Sequence, residues 1–493
     1  MTATLKAQTS ASSPEVAYEI FVQSFSDSNG DGIGDLEGLI SKLDYIQELG
    51  ATMIWLMPIH PSPSYHKYDV MDYYGIHYTY GTMAVMDSLI IEAKKRHIKL
   101  ILDLVINHTS DQHPWFKASA SADSNEYTNY YVWRNYDEVK NEIEKKTTTY
   151  DSDNITQWHE SATRPERYYG FFSAKMPDLN YDNPAVREEV YKIGKFWLEK
   201  GVDGFRLDAA KHIYPDDRLE DTRKFWESFT REMKKVNPNV KLYGEVWSDP
   251  KTVASLFPGL PSMFNFEVAA IIPDCILAHD PMKFITRYQQ MDSVYKATGI
   301  HYEDATLLSN HDMNRIRSTL GESIGQSKLA AAILLTLPGT PFIYYGEEIG
   351  MLGMKPDEYI REPFFWSNKT RKDSTWLKPK YSIPHKVTPL DSQMMNSKSI
   401  FKFYQKWISY RLTHPALSQG TIELLEPTYP GTLSYIRRYK GENIMVIHNL
   451  GEKPVEIKVM DPFTSLTTGP NQLDKHRLLI PKYGSALLKL NSQ

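Results

Sequence analysis

The sequence predicts an α/β protein built on a (β/α)8 TIM barrel, with a subdomain inserted after the third strand and a C-terminal antiparallel β domain. Three observations predict it. Short apolar, β-branched segments alternate with segments of helical apolar spacing, which argues for parallel β/α units. Most strand starts lie roughly 35–45 residues apart, but the third and fourth lie roughly 105 apart, more than one β/α unit can use. From about Leu417 onward the pattern changes to short alternating segments separated by turns such as Pro430-Gly431 and Gly441-Glu442, as in a small antiparallel β domain. At 493 residues the chain suits a barrel of about 250 residues or more plus smaller modules. The expected division is residues 14–108 and 181–415 for the barrel, 109–180 for the insertion and 416–493 for the C-terminal β-sandwich.

In chain order, residues 17–25 read as the first strand and 36–49 as a helix ended by Gly50. Further strands are expected at 52–58, 98–105, 202–207, 241–247, 305–309 and 340–345, with a sixth barrel strand near 263–266. Residues 186–199 and 223–235 carry helical patterns between them. In the last domain, 433–439, 443–449, 455–459 and 485–490 alternate as strands.

Composition narrows the function classes. Hydrophobic content of 41% and charged content of 24% are those of an ordinary globular protein. A net charge of −5 with interspersed signs excludes a nucleic-acid footprint or a basic membrane surface. No apolar run is long enough to span a membrane. Cys275 is the single cysteine, so no intrachain disulfide forms. Residues 1–14 lack the apolar core of a signal peptide. An exported protein, extracellular or periplasmic, would therefore have its signal outside this sequence, and a cytoplasmic one fits as well. A monomer is expected.

Four segments carry chemistry. In Gly204-Phe205-Arg206-Leu207-Asp208, Arg206 and Asp208 are two apart on a strand, so they share a side. A guanidinium beside a carboxylate favours its ionised form, as a nucleophile requires. An isolated R-x-D is usually a strand-end salt bridge. Here it is accompanied by Asp103 to His108 upstream, and by Gly244-Glu245-Val246-Trp247 and Asn310-His311-Asp312 downstream. Glu245 sits among Tyr243, Val246 and Trp247, apolar surroundings that would raise its pKa. Separately, Asp27-Ser28-Asn29-Gly30-Asp31-Gly32-Ile33-Gly34-Asp35 places oxygen side chains at alternate positions with glycines at the bends, which suits a calcium loop. Its twelfth position is Gly38 rather than Glu and no helix pair flanks it, so it is not an EF-hand.

In order and spacing, the four segments resemble the signature regions of the α-amylase family of glycoside hydrolases (family 13), from about Tyr18 to Trp366. The resemblance is to bacterial α-amylases intermediate between the oligo-1,6-glucosidase and neopullulanase groups. It implies Asp208 as nucleophile, Glu245 as acid/base and Asp312 as the third carboxylate that grips sugar hydroxyls. His108 and His311 match histidines that bond the same sugar ring, and Tyr68 matches the aromatic on which it stacks. Arg206 keeps Asp208 charged, Asp103 is an architectural ligand of Arg206, and Lys211 lines the leaving-chain side with His212. The resemblance also implies a Ca2+ ion held by Asn107, Asp178 and the His212 carbonyl, tying the insertion to the barrel. A second Ca2+ is expected in the loop of Asp27, Asn29, Asp31, Ile33 and Asp35.

These readings point to a retaining, endo-acting α-amylase that cleaves α-1,4-glucosidic bonds in starch, glycogen and maltooligosaccharides. An exo-acting α-glucosidase or oligo-1,6-glucosidase is the nearest rival. In those relatives an Asp three residues before the stacking aromatic closes the pocket, and here that position is Tyr65. A non-catalytic, transporter-associated member of the fold would have lost the catalytic acids and carried a membrane segment. All three acids are present. Capture of the covalent intermediate by a sugar, giving transglycosylation, stays open.

Overall fold

The computed structural model describes residues 14–121, 123–145, 154–368, 373–459, 463–467, 471–474 and 476–490. Eight parallel strands close a barrel: β1 (Ala17–Ile20), β2 (Met53–Leu56), β3 (Lys99–Leu104), β4 (Gly204–Leu207), β5 (Lys241–Gly244), β6 (Ser262–Phe264), β7 (Glu303–Leu307) and β8 (Thr340–Tyr344). Each pairs with its sequence neighbour, and β1 pairs with β8.

The period-2 alternation of each strand sorts its residues between two cores. Ala17, Met53, Trp55, Ile101, Tyr243, Phe264, Leu307 and Phe342 fill the barrel interior. Tyr18, Ile54, Leu102, Phe205 and Leu207 pack outward in the larger cluster that the surrounding helices share. The interior parity also carries Glu19, Asp103 and Arg206, buried at the carboxyl ends of β1, β3 and β4. Ladder register puts Glu19 beside Trp55 and Asp103 beside Arg206. A polar layer thus caps the apolar filling at the end of the barrel where such folds place their sites.

The approach to β4 shows how the chain enforces this. Helix Pro184–Lys200 starts at Asn183, whose side chain accepts the Ala185 N–H, with proline in the first turn. Val186, Val190, Ile193 and Trp197 form its buried face. It stops at Gly201, at φ 105°, a left-handed cap that glycine adopts without a Cβ clash. Asp203 then accepts the Leu100 N–H at 2.8 Å. A Cβ on Gly204 would lie 1.9 Å from the Lys241 carbonyl, so β4 and β5 approach only because no side chain is there.

The long gap between β3 and β4 holds a three-stranded antiparallel sheet of Trp133–Arg134, Arg167–Tyr169 and Trp158–Glu160. Trp133 stacks on Phe116 and packs edge-on to Tyr168, so these aromatics form the core of the insertion. The insertion leaves and returns side by side: Thr109 N–H donates to Pro177 and Leu179 N–H to Asn107. After the barrel comes a five-stranded antiparallel sheet in the order Thr421–Leu425, Thr432–Tyr439, Glu442–Asn449, Ser485–Leu490, Phe463–Ser465. A three-stranded sheet packs with it through Ile447, Ile457, Phe463, Leu478 and Leu488. Buried Arg437 and Arg411 join this region to the barrel helix Ile324–Thr336: Arg437 donates to the Thr336 and Gly420 carbonyls, and Arg411 to Leu335 and Leu337.

Two expected elements differ. The first strand ends at Ile20, and Val22–Phe25 forms a helical turn instead. A Cβ on Gly34 would meet the Val22 carbonyl at 2.0 Å, so the 27–35 loop folds back onto that turn and ends the strand. The expected helix at 36–49 is two, Leu36–Ile40 and Leu43–Leu49, with Asp35 capping the first and left-handed Gly50 ending the second. Among the described residues no helix is long and apolar enough to cross a membrane.

Candidate active site

At the carboxyl end of the barrel lies a cleft of about 640 Å3, lined by residues that follow β2, β3, β4, β5, β7 and β8 and by residues of the insertion. Its floor is organised by Arg206, which is 1% exposed. One guanidinium nitrogen, Nη1, donates to Asp103 Oδ1 at 2.8 Å and to Asp208 Oδ1 at 2.5 Å. Nη2 faces Glu245 Oε1 at 2.6 Å. Arg206 also lies over the faces of Trp55 and Tyr68, 5.3 and 5.7 Å from the ring centres. One cation therefore serves three carboxylates from three successive strands.

Those three do not share the charge freely. Burial pushes the carboxyls of Asp103, Asp208 and Glu245 up, and Arg206 pulls each back down. Burial wins at all three, with Asp103 reaching about 7. Asp208 and Asp312 raise Glu245 further, while the Ala209 N–H, 3.0 Å from Oε2, lowers it. The upward push on Glu245 comes first from burial, the direction its sequence neighbours suggested, with like charge adding. Tyr243 points down the barrel towards Glu15, and Trp247 stacks face to face on Phe266 at 4.5 Å. Ala209, between the two carboxylates' segments, sits at φ 46°, a left-handed conformation uncommon for a residue with a Cβ.

Asp312 behaves in the opposite way. Burial pushes it up, but the charge and hydrogen bond of His311 outweigh that, with Arg361 and Arg206 adding, and hold it well below the usual carboxylate range. His311 Nε2 lies 3.0 Å from Oδ2 and Arg361 Nη2 2.9 Å from Oδ1. The site thus contains one carboxylate held ionised beside three carboxyls that burial pushes up.

Tyr68 donates to Asp103 Oδ2 at 2.9 Å and its ring lies parallel to His311. Lys211 and His212 line the cleft together with Phe172, Ser173 and Met176 of the insertion. Arg361 is a residue the sequence reading missed. Besides Asp312 it binds Asp357 at 3.0 Å, the Tyr65 hydroxyl at 3.0 Å and the His311 carbonyl at 2.9 Å. Asp357 and Lys355, also missed, line the cleft. They lie in a loop after β8 with no periodicity, where only a basic residue four after an acid could have drawn attention.

His108 lines the cleft. Its Nδ1 meets Asn107 Oδ1 at 3.0 Å and its Nε2 meets the Tyr68 carbonyl at 3.2 Å, so both nitrogens have protein partners. Burial lowers its pKa to about 4, so it is neutral and donates from one nitrogen only. The carbonyl requires that donor to be Nε2. Asn107 Nδ2 donates to the His212 carbonyl at 2.6 Å, and the Asn107 side chain also bonds Asp178.

The Asn107 side chain and the His212 carbonyl thus meet at the root of the insertion. Asp178 joins them: its carboxyl is buried, accepts the Phe171 N–H at 3.1 Å, and is pushed far up by burial, with no cationic side chain among the groups that shift it. These hard oxygen donors fit a calcium ion. In the 27–35 loop, Asp27 accepts the N–H groups of Asn29, Gly30 and Gly32, Asn29 Oδ1 that of Asp31, and Asp31 that of Ile33. Asp35 accepts from Ser28 and Gly38. That loop closes on its own backbone: Asp27 Oδ1 and Asp35 Oδ2 each accept two donors, and Asp27 Oδ2, Asn29 Oδ1, Asp31 Oδ1 and Asp35 Oδ1 one each. Among the described residues no three His, Cys, Asp or Glu side chains cluster as a metal site.

A family model described as "Alpha amylase, catalytic domain" matches residues 19–420. The chain is 44% identical over 483 residues, 96% of its length and 93% of the relative's, to Alpha-amylase 3 of Dictyoglomus thermophilum. It is 35% identical over 460 residues, 91% of its length and 99% of the relative's, to a 4-alpha-glucanotransferase of Thermotoga neapolitana. Among solved structures, that of the alpha-amylase from H. orenii superposes with a TM-score of 0.90 at 41% identity, covering 97% of this chain and 100% of that one.

If Arg206 is what makes the carboxylate cluster tolerable, Arg206→Met should cost about 3–5 kcal/mol at neutral pH, since it leaves buried charges uncompensated. The loss should shrink on acidification. Without the cation the folded-state carboxyl pKa values rise further, so the stability these groups confer is present below about pH 4 and lost as pH rises through those values. Thermal unfolding at about pH 5 and pH 8 should show a Tm gap to the parent that widens at the higher pH. An equal gap at both would mean the cluster does not depend on the cation.

Proposed function

Because the chain belongs to the α-amylase family of glycoside hydrolases, we propose that it is a retaining, endo-acting α-amylase that hydrolyses α-1,4-glucosidic bonds in starch, glycogen and maltooligosaccharides. The observation that carries this reading is the shared grip of Arg206 on Asp208 and Glu245 at the floor of an open cleft.

Retaining hydrolysis needs one ionised carboxylate and one that carries a proton. Arg206 holds Asp208 Oδ1, so Oδ2 is the atom that attacks the anomeric carbon as the bond to the leaving oxygen breaks. Glu245 gives its proton to that oxygen. In the second step water attacks the same carbon, returns a proton to Glu245 and frees Asp208 as a carboxylate. Two inversions at one carbon leave the α configuration unchanged. One guanidinium cannot neutralise Asp103, Asp208 and Glu245 together, so the cluster favours keeping one proton, which Glu245 needs for the first step. Asp312, fixed as an anion, accepts sugar hydroxyls, and positive charge developing on the ring is favoured among these carboxylates. Tyr68 offers the ring face for stacking, and Arg361 and Lys211 offer donors along the cleft.

The endo reading rests on Tyr65. Its hydroxyl accepts from Arg361 and its ring stacks on Trp376 at 5.3 Å, so no carboxylate stands there to grip a terminal sugar. A maltooligosaccharide blocked at its non-reducing end should be cut about as fast as the free sugar, and starch viscosity should fall well before reducing sugar accumulates. Glucose as the dominant first product, with blocked substrates inert, would favour the exo-acting reading.

We assign calcium to Asn107, Asp178 and the His212 carbonyl, and a second ion to the 27–35 loop. When bound at the first, it cross-links the insertion, which supplies Phe172, Ser173 and Met176 to the cleft, to the barrel. Chelation should lower the Tm, because an ion that binds only the native state stabilises it by mass action. Asp178→Ala should abolish one ion in metal analysis and reduce activity more than Asp31→Ala. A native protein without calcium, and a Tm indifferent to chelator, would exclude both sites.

A further inference from the structure

His311 is fully buried at the floor of the cleft and has a partner on each ring nitrogen: Glu19 Oε1 lies 2.6 Å from Nδ1, and Tyr68 Oη and Asp312 Oδ2 lie 2.5 and 3.0 Å from Nε2. We infer that Glu19, on β1, is a positioning residue for glycoside cleavage that holds His311 as a two-donor cation against Asp312. This rests on the reading of the site given above.

Hydrogen counting leads to it. The Tyr68 hydroxyl has one hydrogen, and Asp103 Oδ2 takes it at 2.9 Å. Asp103 also accepts from Arg206 and from Trp55 Nε1 at 3.3 Å, so it acts as an acceptor throughout. The Tyr68 oxygen therefore accepts from His311, which places a hydrogen on Nε2, shared between Tyr68 and Asp312. With Nε2 occupied, a neutral ring could present only a lone pair at Nδ1, against a carboxylate. A hydrogen on Nδ1 as well satisfies Glu19 and makes the ring a cation.

The surroundings agree. Burial alone would lower the pKa of His311, but Asp312 and Glu19 outweigh it and push it up to about 10. Glu19 faces the ring from β1, Tyr68 from the loop after β2 and Asp312 from the loop after β7, while Arg361 binds the His311 carbonyl. Asp103, Arg206 and Asp208, from β3, β4 and the end of β4, act on this group through their charges. Trp55 presents an uncharged edge at 5.6 Å. Arg361 holds the other oxygen of Asp312, so the hydrogen-bonded route from Glu19 to Asp312 runs through His311, with direct like-charge repulsion between the two carboxylates beside it.

The test is Glu19→Gln, which leaves an oxygen able to accept from Nδ1 but removes the charge. Protein carrying 13C at histidine Cε1 is titrated by NMR, with the His311 signal assigned from its loss in His311→Gln. In the parent, His311 should keep the imidazolium shift to about pH 8.5, and in Glu19→Gln its titration should fall by at least about one unit, towards the free value of ~6.5. In parallel, kcat/KM is measured on an aryl maltotrioside whose leaving group needs no protonation. Glu19→Gln should lose about tenfold or more near pH 8.5 and under about threefold near pH 6. An unmoved titration, or the same loss at every pH, would overturn the inference and leave Glu19 a structural residue. Should Glu19→Gln fail to fold, the parent decides alone: a neutral His311 at pH 7 contradicts the claim. The titration needs no turnover. A parent inactive on every α-glucoside would therefore sink the proposed function and leave the His311 result standing.

Discussion

One buried guanidinium confronting two buried carboxylates, Asp103 and Asp208, and the partly exposed Glu245 is the constraint on which the site depends. Arg206 can sit there only because interior positions on neighbouring barrel strands fall into register, so that Asp103 and Arg206 are paired across β3 and β4. The same parity brings Asp208 to the same side two residues on. The close approach of β5 that Gly204 permits then delivers Glu245 to the second guanidinium nitrogen. Removing carboxylates from water is costly, and a single cation offsets only part of that cost. The residual frustration is what makes the cluster chemically useful, because it leaves a proton poised among acids that differ in their partners.

Around this clamp lies a ring of polar groups, each with its hydrogens fixed by the next. Asp103 fixes Tyr68, Tyr68 fixes His311, and His311 with Arg361 fixes Asp312. On the opposite side, Tyr68 through its carbonyl fixes His108, and His108 constrains Asn107 at the root of the insertion. The sugar-facing wall and the proposed calcium site are therefore two ends of one hydrogen-bonded chain. In a low-dielectric setting such networks hold geometry more strongly than isolated bonds do.

Much of this was legible in the sequence where the signal is local. The strand periodicity, the glycine at 50 and the long gap before β4 predicted the barrel and its insertion, and the change of pattern after Leu417 anticipated the second sheet system. Asp208, Glu245 and Asp312 stood out because each ends a strand segment within a short, ordered pattern. What escaped was non-local. Glu19 looks like any alternating strand position, and only the closed barrel brings it to His311, 292 residues away. Arg361 and Asp357 lie in an aperiodic loop, and their meeting with Tyr65 spans the cleft. The first strand was read too long because its last residues are apolar in both strand and turn. Nor can sequence show that both ring nitrogens of His108, in the cleft wall, have protein partners.

The division of labour between Asp208 and Glu245 is the central claim, and the most direct measurement is to trap the intermediate. The protein is incubated with an α-glucosyl or α-maltosyl fluoride carrying a ring fluorine, which slows release of the sugar from the enzyme. Intact mass and peptide mapping then locate the adduct. The account predicts one sugar per chain, bound through an ester to Asp208, accumulating more when Glu245 is replaced by Gln. Labelling at Glu245 or Asp312, or turnover of the reagent with inversion and no adduct, would contradict it.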